Sequence, residues 1–242
     1  MSLIISVYVR EGIVMAADSR LTLTVPRTLP GGQSNTLSLT SSDSAKKLFL
    51  APNGVGIATC GPADIGGVPI AGFIESFIVE KIADNPFSAP RVAEELKVFF
   101  NALGVRPGTI FHVAGYVTTP TGHEQAILFV DPQAGVVSRL NPQNLQGANW
   151  NGEIDVLSRL LSNVSLTHSR SQELMQLPMF PVPFEFFTLQ DAIDFAFFGI
   201  RSTIETLRFQ AREKTVGGPV DVLVITPGSA QWIAKKELSI PK

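Results

Sequence analysis

The chain has a single cysteine, Cys60, in 242 residues. That excludes an intramolecular disulfide and any cysteine-rich zinc site. Its three histidines, His112, His123 and His168, do not stand at metal-ligand spacing, so no metal is expected. Basic charge is sparse: 19 Lys and Arg face 21 Asp and Glu, the net charge is −2, and no basic cluster exceeds two adjacent residues (Lys46-Lys47, Lys235-Lys236). A nucleic-acid binder needs a basic stripe, and nucleic acid is not expected as a partner. No uninterrupted apolar run is long enough to span a bilayer. Arg10 and Glu11 interrupt the apolar N-terminal stretch too early for a signal-peptide core, so no membrane association and a cytoplasmic location are expected. The glycine-rich Gly61-Pro-Ala-Asp-Ile-Gly-Gly67 lacks the Gly-Lys-Ser/Thr that cradles phosphate. No cofactor is expected, and no repeat of 20 to 50 residues is apparent.

What is present suits one compact domain over residues 1–242, with 45% hydrophobic and 17% charged residues. Leu3 to Val9 and Ile13 to Ala17 are apolar runs meeting at Arg10-Glu11-Gly12, which predicts a β-hairpin whose second arm ends in the carboxylate of Asp18. This hairpin would place the chain terminus on a buried strand, although chain ends ordinarily fray. Residues 21–45 show no sustained period and are expected to form a long loop, its Leu-Thr-Leu-Thr start prolonging the strand. Lys46 to Leu50 resumes strand character, Asn53-Gly54 gives a hairpin turn, and Val55 to Cys60 follows as a small-residue strand.

Beyond the glycine-rich segment, Ile70, Phe73, Ile74, Phe77, Ile78 and Ile82 recur at helical spacing, predicting a helix over about 67–83. A second helix starts at Ser88 with Pro90 and buries Val92, Leu96, Phe99 and Leu103. Residues 110–117 and 125–130 read as strands around a Thr-Pro-Thr-Gly turn, with a weaker strand at 136–140. Residues 152–161 suit a short helix and 162–187 a second long loop. Thr188 and Asp191 form a candidate capping box ahead of a stripe of Ile193, Phe197, Ile200, Ile204 and Leu207. A strand over 220–226 and a short one around Trp232 close the chain. Strands and helices in consecutive groups, without βαβ alternation, argue for an α+β fold with antiparallel sheets under helices.

Ser2, Gly12-Ile-Val-Met-Ala-Ala-Asp18-Ser-Arg20, Lys46-Lys47-Leu-Phe49, Gly54 to Gly61 and Gly217-Gly218-Pro-Val-Asp221 occur in this order across nearly the whole chain. In that series the chain resembles the proteasome β-subunit family of N-terminal nucleophile hydrolases, a threonine-type peptidase family. With Met1 removed, Ser2 to Asp18 matches the family's nucleophile-to-acid spacing without a gap. The resemblance implies a four-layer αββα sandwich, a homo-oligomer that is often a ring, and a peptide or other amide as substrate. It assigns Ser2 as nucleophile, Asp18 and Lys47 as its partners, the Thr59 backbone N–H as an oxyanion donor, and Glu213 as a supporting acid. It identifies no partner ATPase.

The chemistry fits those residue types. A serine hydroxyl needs a base, and a free α-amino group on the same residue, with an ordinary pKa of roughly 7.7–8.0, can serve without a histidine. The Lys47 ammonium would depress that amine's pKa, and Asp18 would keep Lys47 charged and oriented. Backbone N–H groups near Thr59 to Gly61 would stabilise the tetrahedral intermediate. A second reading stays open: a non-catalytic assembly or binding subunit that keeps the fold. Ser2 stands where the family has Thr, and Ala148 and Val216 fall near the positions of its two orienting serines. Cys60 reads as a buried filler, His112 as a satisfied core residue, and Trp150 as either pocket lining or a core plug. Phe195 and Phe198 offer an apolar face for contact between subunits.

Overall fold

A computed structural model describes residues 2–28, 34–104, 108–168, 170 and 173–237. Leu3–Val9 (β1) and Gly12–Ala17 (β2) form the expected hairpin, with Ile4 opposite Ala17 and Val9 opposite Gly12. Every residue of both strands is buried. Alternation explains this: Leu3, Ile5, Val7 and Val9 belong to one apolar cluster, while Ile4 and Tyr8 belong to another. A strand covered on both faces needs no polar side.

Residues 21–45 depart from expectation. Within them Leu21–Thr28 (β3) pairs antiparallel with Ser34–Ser42 (β4), two strands where a loop is expected. The pair forms a two-stranded sheet of its own, joined to neither main sheet, although Leu21, Leu23 and Val25 alternate with Thr22 and Thr24 along it. Leu48–Leu50 (β5) and Gly56–Cys60 (β6) follow, joined through the turn where Gly54 takes φ +80°. Two-residue bridges Asp64–Ile65 (β7) and Val68–Pro69 (β8) lead into Ile70–Phe77 (α1), which continues as one wide turn to Ile82. Ala89–Ala102 (α2) has Pro90 in its first turn, where the missing N–H costs nothing.

Ile110–Thr119 (β9), Gly122–Asp131 (β10) and Val136–Arg139 (β11) form the second meander. Gly147–Gly152 (β12), not foreseen, pairs with β1, and Asp155–Leu161 (α3) is the short helix. The expected loop at 162–187 contains a small hairpin, Ser165–Thr167 (β13) with Leu174–Gln176 (β14), and a single turn at Phe184–Phe186. Leu189–Phe209 (α4) precedes Asp221–Thr226 (β15) and Ser229–Ala234 (β16).

The fold is α+β, with two five-stranded antiparallel sheets and four α-helices among the described residues. The sheets run β12-β1-β2-β15-β16 and β11-β10-β9-β6-β5. One cluster joins Leu3, Ile5, Val7 and Val14 to Leu157 of α3 and Ala192, Ala196 and Ile200 of α4. A second joins Ile57, Phe111 and Val113 to Ile74 and Phe77 of α1 and Val92, Leu96 and Phe100 of α2. The third takes Ile4, Ile13 and Met15 from one sheet and Leu48, Ala58, Cys60 and Ala114 from the other.

The capping box at α4 is formed: the Asp191 N–H donates to Thr188 Oγ1 at 3.2 Å, and the Thr188 N–H donates to Asp191 Oδ2 at 2.8 Å. Glu11, at the β1–β2 turn, accepts from the Leu189 N–H at 2.8 Å and ties that helix start to the first hairpin. The buried seam of α4 is offset from the expected stripe. Ala192, Ala196, Gly199 and Thr203 join Ile200 and Leu207 there, and Phe197 and Phe198 are exposed. Close approach selects the small residues, since a Cβ on Gly199 would lie 2.6 Å from Ile5 Cδ1. Phe195 is not free for a partner; it packs on Phe184 and Phe187, with ring centroids 5.1 and 6.1 Å away.

His112 crosses between the sheets as a satisfied core residue. Its Nδ1 meets Ser6 Oγ at 2.9 Å and its Nε2 meets Asn151 Oδ1 at 2.7 Å. Asn151 Oδ1 can only accept, so Nε2 carries the proton and Nδ1 accepts from Ser6. Burial lowers the His112 pKa from 6.5 to about 4, the Asn151 bond opposing that shift. The unfolded chain therefore binds a proton that the folded chain does not between those values, and stability falls as pH drops through this window. At about 1.4 kcal/mol per pH unit, His112 costs about 3 kcal/mol of folding free energy between pH 6.5 and 4. Urea titrations across that range should show the loss in the parent and a total decline smaller by about 3 kcal/mol in His112→Gln.

Candidate active site

The end of β2 delivers Asp18 beneath the start of β1. Asp18 is fully buried, and its carboxylate accepts four donors: Lys47 Nζ at 2.8 Å and the Leu3 N–H at 3.0 Å on Oδ1, and the N–H groups of Gly217 at 3.0 Å and Arg20 at 3.1 Å on Oδ2. Four donors saturate a carboxylate. Lys47 stands just before β5 and is itself buried. Burial lowers its pKa, the Asp18 carboxylate pulls it back up, and the Lys236 charge adds to the lowering. Lys236 is paired with the buried Asp221 on β15, opposite Ala17.

Ser2 is buried next to this pair, and Ser2, Lys47, Thr59, Cys60 and Gly61 line one cavity of about 280 Å³. Its remaining wall comes from the base of the β3–β4 pair and from the segment entering α1, including Leu21, Thr22, Ala63 and Ile70. Arg20 and Lys46 at this cavity are both engaged. Arg20 holds Asp43 with two bonds of 2.6 and 2.7 Å, and Lys46 holds Glu75 at 2.7 Å. The Thr22 and Thr59 hydroxyls are buried without a hydrogen-bond partner among the described residues. The cavity is thus largely apolar with two unanswered hydroxyls in its lining.

The structure brings Ser2, Asp18 and Lys47 together across three separate stretches of sequence. Thr59 is beside them, but its N–H donates to the Lys47 carbonyl at 2.9 Å. It is engaged in the sheet and not free to receive an oxyanion. Gly61, one residue past β6 at φ +117°, also lines the cavity. Glu213 is not brought in: it is exposed on the segment after α4. Its neighbours are the ones that matter, because Arg212 and Thr215 hold the buried Glu153 and Gly217 holds Asp18. Ala148 sits mid-strand opposite Val7, four residues short of Gly152, which faces Leu3. Trp150 plugs the α3–α4 cluster rather than lining the cavity. Met1 lies outside the described residues.

Cys60 also lines the cavity. Burial pushes its thiol up to about 12, with Lys47 only partly offsetting that, so at neutral pH it is a thiol and not the reactive thiolate.

Sequence reasoning missed Gly152 and Glu153. A Cβ on Gly152, at φ +105°, would stand 1.8 Å from the Ser2 carbonyl oxygen. The sequence cue was slight: an acid directly behind a glycine, at the end of a segment with no recognisable strand period. Among the described residues no group of three His, Cys, Asp or Glu side chains is placed to hold a metal ion, and no helix is long and apolar enough to cross a membrane. Compared with known proteins, the chain matches no family model and no curated sequence.

Proposed function

We propose that the chain is an N-terminal nucleophile hydrolase of the proteasome β-subunit type, cleaving peptide or other amide bonds through Ser2 once Met1 has been removed. The observation that carries this reading is the buried Lys47–Asp18 pair beside Ser2 at an apolar cavity. The three core clusters support the finer fold assignment, a four-layer αββα sandwich.

In the proposed reaction the Ser2 Oγ attacks the substrate carbonyl carbon while its proton passes to the Ser2 α-amine. Lys47 supplies positive charge that keeps this amine neutral and stabilises the forming alkoxide. The Gly61 N–H, rather than that of Thr59, receives the oxyanion. The C–N bond then breaks, the ammonium returns its proton to the leaving amine, and an ester remains on Ser2. Water, activated by the same amine, hydrolyses that ester. Exposed Leu174, Met175, Phe180, Phe186, Phe197 and Phe198 support assembly into a homo-oligomer.

The intact mass of the protein isolated from its native host tests the requirement for a free Ser2 amine. The mass should fall short of the full sequence by one methionine residue. One observation favours the second reading, a non-catalytic subunit: Glu213 stands exposed, away from the cavity. Met1 retained on every molecule would select it.

A further inference from the structure

The proposed reaction makes no use of Glu153, yet its carboxylate is buried and its backbone is bonded to that of the nucleophile. Its backbone N–H donates to the Ser2 carbonyl at 2.8 Å. Its side chain is nine-tenths buried, with Oε2 accepting from Thr215 Oγ1 at 2.8 Å and Oε1 from Arg212 Nη1 at 3.3 Å. The second arm of Arg212 reaches Asp155 Oδ1 at 3.0 Å. Two residues after Thr215, the Gly217 N–H donates to Asp18 Oδ2 and its carbonyl accepts from the Ser19 N–H at 2.9 Å. Asp18 in turn accepts from the Leu3 N–H and donates its own N–H to the Leu3 carbonyl at 3.3 Å. The bonds close a circuit from Ser2 through Glu153, residues 215–217 and Asp18 back to Leu3.

Burying a carboxylate is costly unless it is fully bonded, and an apolar residue would fill the same space at no such cost. We infer that Glu153 is a positioning residue for Ser2: clamped by Arg212 and Thr215, it fixes the nucleophile's backbone relative to the Asp18–Lys47 pair. It acts through its N–H and touches no reacting atom. The inference rests on the Ser2 reading above.

Three single variants of the Met1-processed protein and one double variant test it: Glu153→Gln, which keeps an acceptor for Thr215 but gives Arg212 no charge, Glu153→Ala, which gives up both, Thr215→Val, and Thr215→Val combined with Glu153→Ala. A misplacement of about 1 Å can cost about a hundred-fold in rate. On an amide-linked chromogenic peptide, kcat normalised to the folded fraction should fall about ten-fold in Glu153→Gln and about a hundred-fold in Glu153→Ala. KM should stay within about two-fold, a split that a change in cavity shape would not give. Thr215→Val should lower kcat in the parent but add little in Glu153→Ala, the non-additivity of one shared bond. It also carries the test if Glu153→Ala does not fold. Ser2-dependent hydrolysis with kcat unchanged in Glu153→Ala, or in Thr215→Val should the former not fold, overturns the inference alone. Equal hydrolysis by parent and Ser2→Ala overturns the nucleophile reading and this inference with it.

Discussion

Ser2→Ala and Lys47→Met should each lower hydrolysis of an amide-linked chromogenic peptide by about a thousand-fold or more, about 4 kcal/mol of transition-state stabilisation. The two losses have different origins. Ser2→Ala removes the atom that forms the ester and leaves every bond around Asp18 in place, so the melting temperature should stay close to that of the parent. Lys47→Met keeps the hydroxyl but removes the one buried cation bonded to Asp18, and the α-amine loses the charge that holds it neutral. It also strands a buried carboxylate, which ordinarily costs about 3–5 kcal/mol. Here the carboxylate still accepts backbone N–H groups from Leu3, Arg20 and Gly217. The expected cost is therefore at the lower end, about 3 kcal/mol, or a melting temperature lower by roughly 6–12 °C. Hydrolysis at the parent rate in both variants would remove the proposed chemistry.

Gly152→Ala should cost activity by about a hundred-fold although residue 152 carries no functional group. Its φ of +105° disfavours any Cβ, and a Cβ there would meet the Ser2 carbonyl oxygen at 1.8 Å, an impossible contact. Relief requires β1 to slide away from β12 at the residue that bears the nucleophile, and such a shift misaligns the attack. Gly122 supplies the control, because it has φ +137° with nothing within 4 Å of a built Cβ. Gly122→Ala should lose about 1–2 kcal/mol of stability to the backbone conformation and keep full kcat. If both variants lose stability alike and both keep kcat, the close approach at Ser2 has no bearing on the reaction.

These expectations mark which parts of the molecule the chain announces. The first hairpin was legible because its apolar runs are long, uninterrupted and separated by a charged turn. The α4 start was legible because Thr188 and Asp191 are a local pair whose bonds need no tertiary partner. By contrast, β12 has the composition Gly-Ala-Asn-Trp-Asn-Gly, whose strand state depends on pairing with β1 and not on propensity. The β3–β4 pair escapes for a different reason: Leu21, Leu23 and Val25 alternate with threonines, but Pro26, Pro30 and Gly31-Gly32 interrupt the pattern. The seam of α4 is offset because packing distance favours Ala192 and Ala196 over Ile193 and Phe197, while Ile200 and Leu207 stay in it.

At the site, Asp18 and Lys47 could be paired from the resemblance, and they are bonded in the structure. Thr59 and Glu213 were named by position in a pattern. Hydrogen bonding decides differently: the Thr59 N–H is held by the sheet and Glu213 faces solvent, while Glu153, remote in sequence, is bonded to the Ser2 backbone. Such networks form from groups more than 50 residues apart, as Arg212 and Thr215 are from Glu153, and no local signal encodes them.

The most direct test of Ser2 as nucleophile is covalent trapping. The parent protein is incubated with a peptidyl β-lactone, digested, and its N-terminal peptide read by mass spectrometry. The predicted result is one acyl group in ester linkage on Ser2 of a chain lacking Met1, and no adduct in Lys47→Met. An adduct confined to Cys60, or an unlabelled Ser2 still preceded by Met1, would contradict it.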